Sequence, residues 1–391
     1  MKNEEKQYSI ETSIVLWHKS IFSFLSFLTI IVYLYGVGHS SEVAIGFDRD
    51  FAPFSFEDSR GEPTGFDVEL LKAIFYKTQY TPVFKPLTWE MVQVQLSEGK
   101  IHIAPGFIKS PNTKLLFSFA DKPYYSTTFR MFTKVKDRVP NIEWLRGKFI
   151  GVKQFSFAED LLIAMKDMRS KTYATDLDAI RALYDEQVSG YLGMYSVGRW
   201  YAQTAMFEGL LAVGSPIAVE DMFFAVTLQK KELVQIVNSR FAHIKRSGEY
   251  DRIYRKWFVH EITKEQEKEL IEQAKEVANF ALAQYSKKPV GCALLTQSGK
   301  VYTGVSVESA EARDGISAIK SALSVAAKSA DTEVRALVLS SPQGVIIEPN
   351  ESDLRLLRAY DQGILVILPT VSEKEWDMKT VGQLLTSIQG R

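Results

Sequence analysis

From residue 42 onward, short apolar runs alternate with stretches in which apolar residues recur every three or four positions. The first pattern predicts strands and the second amphipathic helices, and their alternation predicts an α/β chain with mostly parallel sheets. Strands are expected at 43–47, 82–85, 101–104, 130–133 and 148–152, and helices at 67–75, 178–186 and 231–245. After Trp257-Phe258 the register restarts. Thr263-Lys264-Glu265-Gln266 has the form of a capping box, and Leu270, Ile271, Ala274, Val277, Ala278 and Ala281 form one apolar stripe behind it. The runs 291–297 and 301–307, joined by Ser298-Gly299-Lys300, read as a hairpin. A small-residue helix near 319–328 and strands at 334–341, 344–349 and 364–370 follow. The connection between the two units is only about five residues, so they are expected to sit close together.

The N-terminus has a different pattern. Residues 21–37 carry no charge, follow Lys19 closely and end before Gly38-His39-Ser40, where small residues occupy the two positions a signal peptidase reads. Residues 1–40 are therefore expected to be a signal peptide cleaved after Ser40 or a retained single-helix anchor. Either alternative puts the rest of the chain in the periplasm. Lys+Arg and Asp+Glu both total 47, which gives no support for a nucleic-acid partner. The one cysteine, Cys292, excludes an internal disulfide and a cysteine-rich metal site.

Residues 42–258 carry, in order, Phe51-Ala52-Pro53-Phe54-Ser55-Phe56, Gly65-Phe66-Asp67, Trp89, Gly99-Lys100, Gly106, Pro123-Tyr124-Tyr125, Leu145-Arg146-Gly147-Lys148 and the run 248–258. With these the region resembles the periplasmic solute-binding proteins of polar amino-acid uptake systems. The resemblance implies a two-lobed type II periplasmic binding protein fold, with strands crossing near 129–135 and 218–226, that closes on a small solute by hinge motion. It also implies a cleft holding Asp48, Phe51, Trp89, Gly106, Ser110, Lys153 and Ser156, and leaves a membrane transporter partner open. The amino-acid clamp of that family is altered. Thr113 stands at the position of the arginine that grips the ligand carboxylate, Met194 at that of the aspartate that pairs with its ammonium, and Phe155 at that of a glycine. A free α-amino acid would leave both charged ends under-satisfied. A cationic or hydroxyl-bearing ring compound between Phe51 and Trp89 is the expected alternative.

Residues 264–391 resemble cytidine deaminases through the run 285–295, the segment Tyr302-Thr303-Gly304-Val305-Ser306-Val307-Glu308-Ser309-Ala310, and a closing helix at 379–385. The resemblance implies an α/β/α domain. Its zinc chemistry needs three thiolate or imidazole ligands and a proton-shuttling glutamate. The ligand positions fall at Ser317, Asn350 and Asp353, the glutamate at Ile319, and Cys292 is placed on a strand away from them. Of the nucleoside contacts Glu308 remains. The domain is thus expected to be non-catalytic, without cofactor or metal, and its helices leave a homo-oligomer open.

The chain therefore divides into 1–40, a binding unit at 41–260 and a deaminase-like unit at 261–391. The leading expectation is an exported solute-binding protein. The alternative is an interaction protein in which both units have lost their ligands.

Overall fold

The computed structural model describes residues 41–137, 139–311, 314–370 and 376–389, so the expected leader or anchor at 1–40 lies outside the described residues. Among the described residues no helix is long and apolar enough to cross a membrane.

The first unit opens with β1 (Ser41–Asp48), α1 (Phe66–Phe75), β2 (Tyr80–Leu87), α2 (Trp89–Ser97) and β3 (Ile103–Ile108). The chain crosses to a second lobe on β4 (Tyr125–Lys134). That lobe contains β5 (Phe149–Lys153), α3 (Phe157–Ala164), β6 (Arg169–Tyr173), α4 (Asp176–Tyr184), β7 (Gly190–Met194) and α5 (Tyr195–Ala202). It returns on β8 (Leu210–Thr227) and finishes the first lobe with α6 (Leu233–Arg246) and α7 (Glu249–Phe258). The strands form one nine-stranded sheet in the order β6-β5-β7-β4-β8-β3-β1-β2, with a short strand, Phe117–Phe119, on β8. β1 runs parallel to β2, whereas β8 is antiparallel to both β4 and β3. Thus β4 and β8 carry the sheet from one lobe to the other.

Each lobe has its own core. In the first, Phe66, Leu70, Leu71 and Ile74 form the buried face of α1, and Phe66 meets Tyr124, Tyr254 and Phe258 ring to ring. In the second, Phe132, Ile180, Leu183, Tyr191 and Tyr195 pack together. Burying each such side chain contributes about 1.5–3 kcal/mol. The third strand differs from expectation by starting at Ile103, because the amides of Lys100 and Ile101 turn back onto Gln95 O.

The second unit follows α7 after residues 259–263. It comprises α8 (Lys264–Ala278), β9 (Gly291–Thr296), β10 (Val301–Val305), α9 (Ala318–Lys328), β11 (Val334–Ser340), α10 (Glu351–Tyr360), β12 (Leu365–Pro369), β13 (Trp376–Thr380) and α11 (Val381–Gln389). Its six-stranded sheet has the order β10-β9-β11-β12-β13, with Ile346–Ile347 on β11. All of β9 is buried, and its residues alternate between two cores: Cys292 and Leu294 face one, Ala293 and Leu295 the other. Two glycines let helices reach the sheet. A Cβ on Gly291 would lie 2.1 Å from Ala274 O of α8, and one on Gly304 2.2 Å from Ala322 N of α9. The expected closing helix at 379–385 is corrected: Trp376 to Thr380 alternate inward and outward as a strand, and the helix begins at Val381, its entry closed by reciprocal Thr380 and Gln383 bonds.

Candidate functional site

Asp48, Phe51, Trp89, Gly106, Ser110, Lys153 and Ser156 all line one cavity between the lobes, of about 190 Å³. Asp48 ends β1, Trp89 opens α2 and Gly106 lies within β3, all in the first lobe. Lys153 ends β5 in the second, and Ser156 caps α3 there. Gly106 has φ of +87°, and a Cβ there would stand 3.7 Å from the Trp89 ring and 3.9 Å from Phe51, so both rings close over bare backbone. Below, the Gly106 amide donates to the Tyr124 hydroxyl at 2.9 Å. Beside that hydroxyl, burial pushes the Asp67 carboxyl up to about 8, with Tyr124 pulling it partly back.

The charged groups of the cavity pair with one another. Lys153 Nζ donates to Asp48 Oδ2 across the lobes, and both side chains are 5% exposed. Asp176 lies 3.9 Å from the same ammonium and accepts from Tyr191 Oη at 2.7 Å. Burial opposes the Lys153 charge, but Asp48 and Asp176 outweigh it and hold its pKa above the ordinary value. A second interlobe contact runs from Trp89 Nε1 to Phe155 O, 2.9 Å. Phe155 keeps a left-handed backbone, φ 58°, of the kind glycine adopts freely.

The hydroxyls are also committed. Ser156 Oγ donates to Lys153 O at 2.6 Å and accepts from Glu159 N, while the Glu159 carboxylate takes the Phe155 amide at 2.6 Å. The N-terminus of α3 is thus served by the chain's own carboxylate. Ser110 and Thr113 cap each other reciprocally, and Thr113 Oγ1 also donates to Ile108 O at 3.2 Å. Sequence reasoning missed Gln93, Phe129, Phe157, Asp160 and Asp176, which line the same cavity, and nothing in their spacing marks them.

In the second unit Ser317, Asn350 and Asp353 converge. Ser317 Oγ donates to Asp353 Oδ1 at 2.7 Å, Asn350 Nδ2 donates to Asp353 Oδ2 at 2.9 Å, and Asp353 N returns to Asn350 Oδ1 at 2.9 Å. Ile319 is fully buried in the core. Cys292 lies on β9, where burial chiefly, and then the charge of Asp353, hold its thiol far above the ordinary range. Glu308 accepts from the amides of Tyr285 and Ser286 at 2.9 and 3.0 Å, so its carboxylate closes its own loop.

Two lobes joined by crossing strands, with a ring-lined cavity between them, define the class of two-lobed binding proteins. The chain belongs to the bacterial extracellular solute-binding proteins, family 3, whose family model matches residues 43–260. It is 28% identical over 235 residues to the histidine-binding periplasmic protein of Escherichia coli (strain K12), covering 55% of this chain and 87% of that one. To the arginine-binding periplasmic protein of Mannheimia haemolytica it is 26% identical over 240 residues, covering 59% and 97%. Among solved structures, an ancestral arginine-binding protein bound to arginine is similar with a TM-score of 0.52 and 28% identity, over 56% of this chain and 99% of that one.

A second family model, the cytidine and deoxycytidylate deaminase zinc-binding region, matches residues 228–353, and a deaminase-like domain occupies the C-terminal region. The start of that match falls on α6 and α7, which belong to the first lobe. Zinc does not fit the residues present. The convergent side chains are a hydroxyl, an amide and one carboxylate, both of whose oxygens already accept hydrogen bonds. Among the described residues no cluster of three His, Cys, Asp or Glu side chains could hold a metal.

Proposed function

We propose that the chain is an exported solute-binding protein whose interlobe cavity engages a small polar or aromatic-bearing solute. Residues 41–260 form the binding unit in this reading. Residues 261–391 form a deaminase-like unit without catalytic activity, used for assembly or interaction. The observation that carries the reading is the cavity itself, where Phe51 and Trp89 flank Gly106 and the charges of Asp48 and Lys153 cancel. A ring-lined cavity whose one ammonium is shared between Asp48 and Asp176 favours a solute held by stacking and a few hydrogen bonds. This narrows the sequence expectation: the place of a cationic ligand group on Asp48 is taken by Lys153.

Free α-amino acids are disfavoured, because Thr113 is hydrogen-bonded to its own loop and Met194 offers no charge. The relatives' names supply the periplasm as compartment and an ABC transporter as the kind of partner. The interlobe latches Lys153–Asp48 and Trp89–Phe155 give the alternative, a protein that takes no solute, its own support. A thermal-shift panel of common amino acids, amines, nucleosides and aromatic acids decides between them. Stabilisation by an uncharged ring compound, lost in Trp89→Ala, is the expected result. Stabilisation by a common amino acid, abolished by Asp48→Ala, overturns the reading of the clamp. A panel without any shift supports the alternative.

A further inference from the structure

The C-terminal domain is attached to the binding unit at the place where that unit has to bend. β4 changes lobes between its first residues and Phe129–Phe132, which pair with β7 of the second lobe. β8 does so between Ala218 and Met222, beyond which it pairs with β3 of the first lobe. The last turn of α10 lies on both strands at this level. Arg358 Nη2 donates to Ser126 Oγ at 2.7 Å and to Asp221 Oδ1 at 3.2 Å, and Tyr360 O accepts from Thr128 Oγ1 at 3.3 Å.

The same domain grips each lobe separately. On the second lobe, Glu333 pairs with Arg199 of α5 at 3.1 Å and accepts from Ala212 N at 3.0 Å, with the two side chains only 6% and 13% exposed. Arg130, wholly buried, donates to Gly214 O at 2.7 Å and reaches Thr332 Oγ1 at 3.3 Å. On the first lobe, the short connection after α7 is pinned by Arg335, which donates to His260 O at 3.1 Å. Rotation of one lobe against the other therefore pulls Glu333 away from Arg199 and Ala212, or strips Arg358 from the crossing strands. The first leaves the buried charges of Glu333 and Arg199 unpaired.

We propose that the C-terminal domain braces the hinge: by holding both lobes and the crossing strands at once, it favours the closed cleft, and opening requires Glu333 to release the second lobe. Cleft occupancy and the grip of this domain are then two ends of one equilibrium, each biasing the other by the same factor. The inference rests on the reading of 41–260 as a hinged binding unit, and its test separates the two. The full chain is labelled at Glu98→Cys on the first lobe and Lys166→Cys on the second, both exposed, while Cys292 is buried. Interlobe distances are measured by pulsed electron resonance without solute. Three chains are compared: Lys153→Met, Lys153→Met with Glu333→Gln, and Lys153→Met with Arg358→Ala.

The expected result is an open population in Lys153→Met that rises on the order of tenfold in both double variants. The half-exposed Arg358 makes the second double variant the milder perturbation, and circular dichroism checks that each chain is folded. If Lys153→Met opens and neither folded double variant opens further, the brace is overturned and the hinged cleft stands. If none of the three opens, the hinged reading is overturned and the brace with it.

Discussion

Replacing Lys153 by methionine removes the cavity's internal cation while keeping most of the side-chain volume. Asp48, 5% exposed, would then carry an unpaired charge in the closed cleft. Removing one partner of a buried pair costs about 3–5 kcal/mol, so the variant either opens to hydrate Asp48 or accepts an external cation in place of Lys153. In the wild type an incoming cation has to displace an ammonium held by Asp48, with Asp176 3.9 Å from it. The difference predicts that a basic solute such as arginine binds Lys153→Met on the order of 100- to 1000-fold more tightly than it binds wild type. Isothermal titration of both proteins with arginine, alongside a neutral ring compound as control, measures this ratio. Equal affinity of arginine for the two proteins would refute the reasoning, since it would mean that Lys153 does not compete for Asp48.

The remaining predictions concern the C-terminal domain. Purified protein should contain no stoichiometric zinc and should form no uridine from cytidine; one zinc per chain by elemental analysis overturns this. Asp361 gives a pH signature: burial first, opposed by the Gly363 amide and Arg199, holds its carboxyl up at about 6 against 3.8. The folded state therefore keeps this proton after the unfolded chain has lost it. Relative to Asp361→Asn, wild type should lose on the order of 3 kcal/mol of stability as pH rises from about 3 to about 7. Urea midpoints of both proteins at the two ends of that window test it, and a constant difference between them would sink it.

The alternation of apolar runs with amphipathic stretches made the α/β character legible. So did the restart after Phe258, because Thr263 and Gln266 do form the reciprocal cap that their spacing announces. Phe51, Trp89, Gly106 and Lys153 were legible as a set only through the resemblance to solute-binding proteins, and they line one cavity. What they do to one another was not. The Asp48–Lys153 pair joins residues 105 positions apart on different lobes, and no local pattern encodes whether two such charges meet a ligand or each other. Asp176 escaped for a related reason: it stands just before the helix expected at 178–186, and only the fold turns it toward Lys153. Residues 379 and 380 read as helix because the strand they end is short and supported only by pairing with β12.

The altered zinc positions also explain how α10 can act at the hinge. Ser317 and Asn350 are the N-caps of α9 and α10, so their side chains serve those helix termini without any metal. Asp353, in the first turn of α10, accepts from both and so ties the start of one helix to the start of the other. A carboxylate is suited to that place, where two helix N-termini leave partial positive charge. The three side chains thus form a staple where the deaminase resemblance puts a metal, and the staple fixes one end of α10 against the domain core. The other end carries Arg358 and Tyr360, which lie on the crossing strands. An α10 free to swing at its N-terminus would yield when β4 and β8 twist. One pinned by Asp353 resists the twist, and the load passes to Glu333 and Arg199, the pair that has to part when the lobes separate.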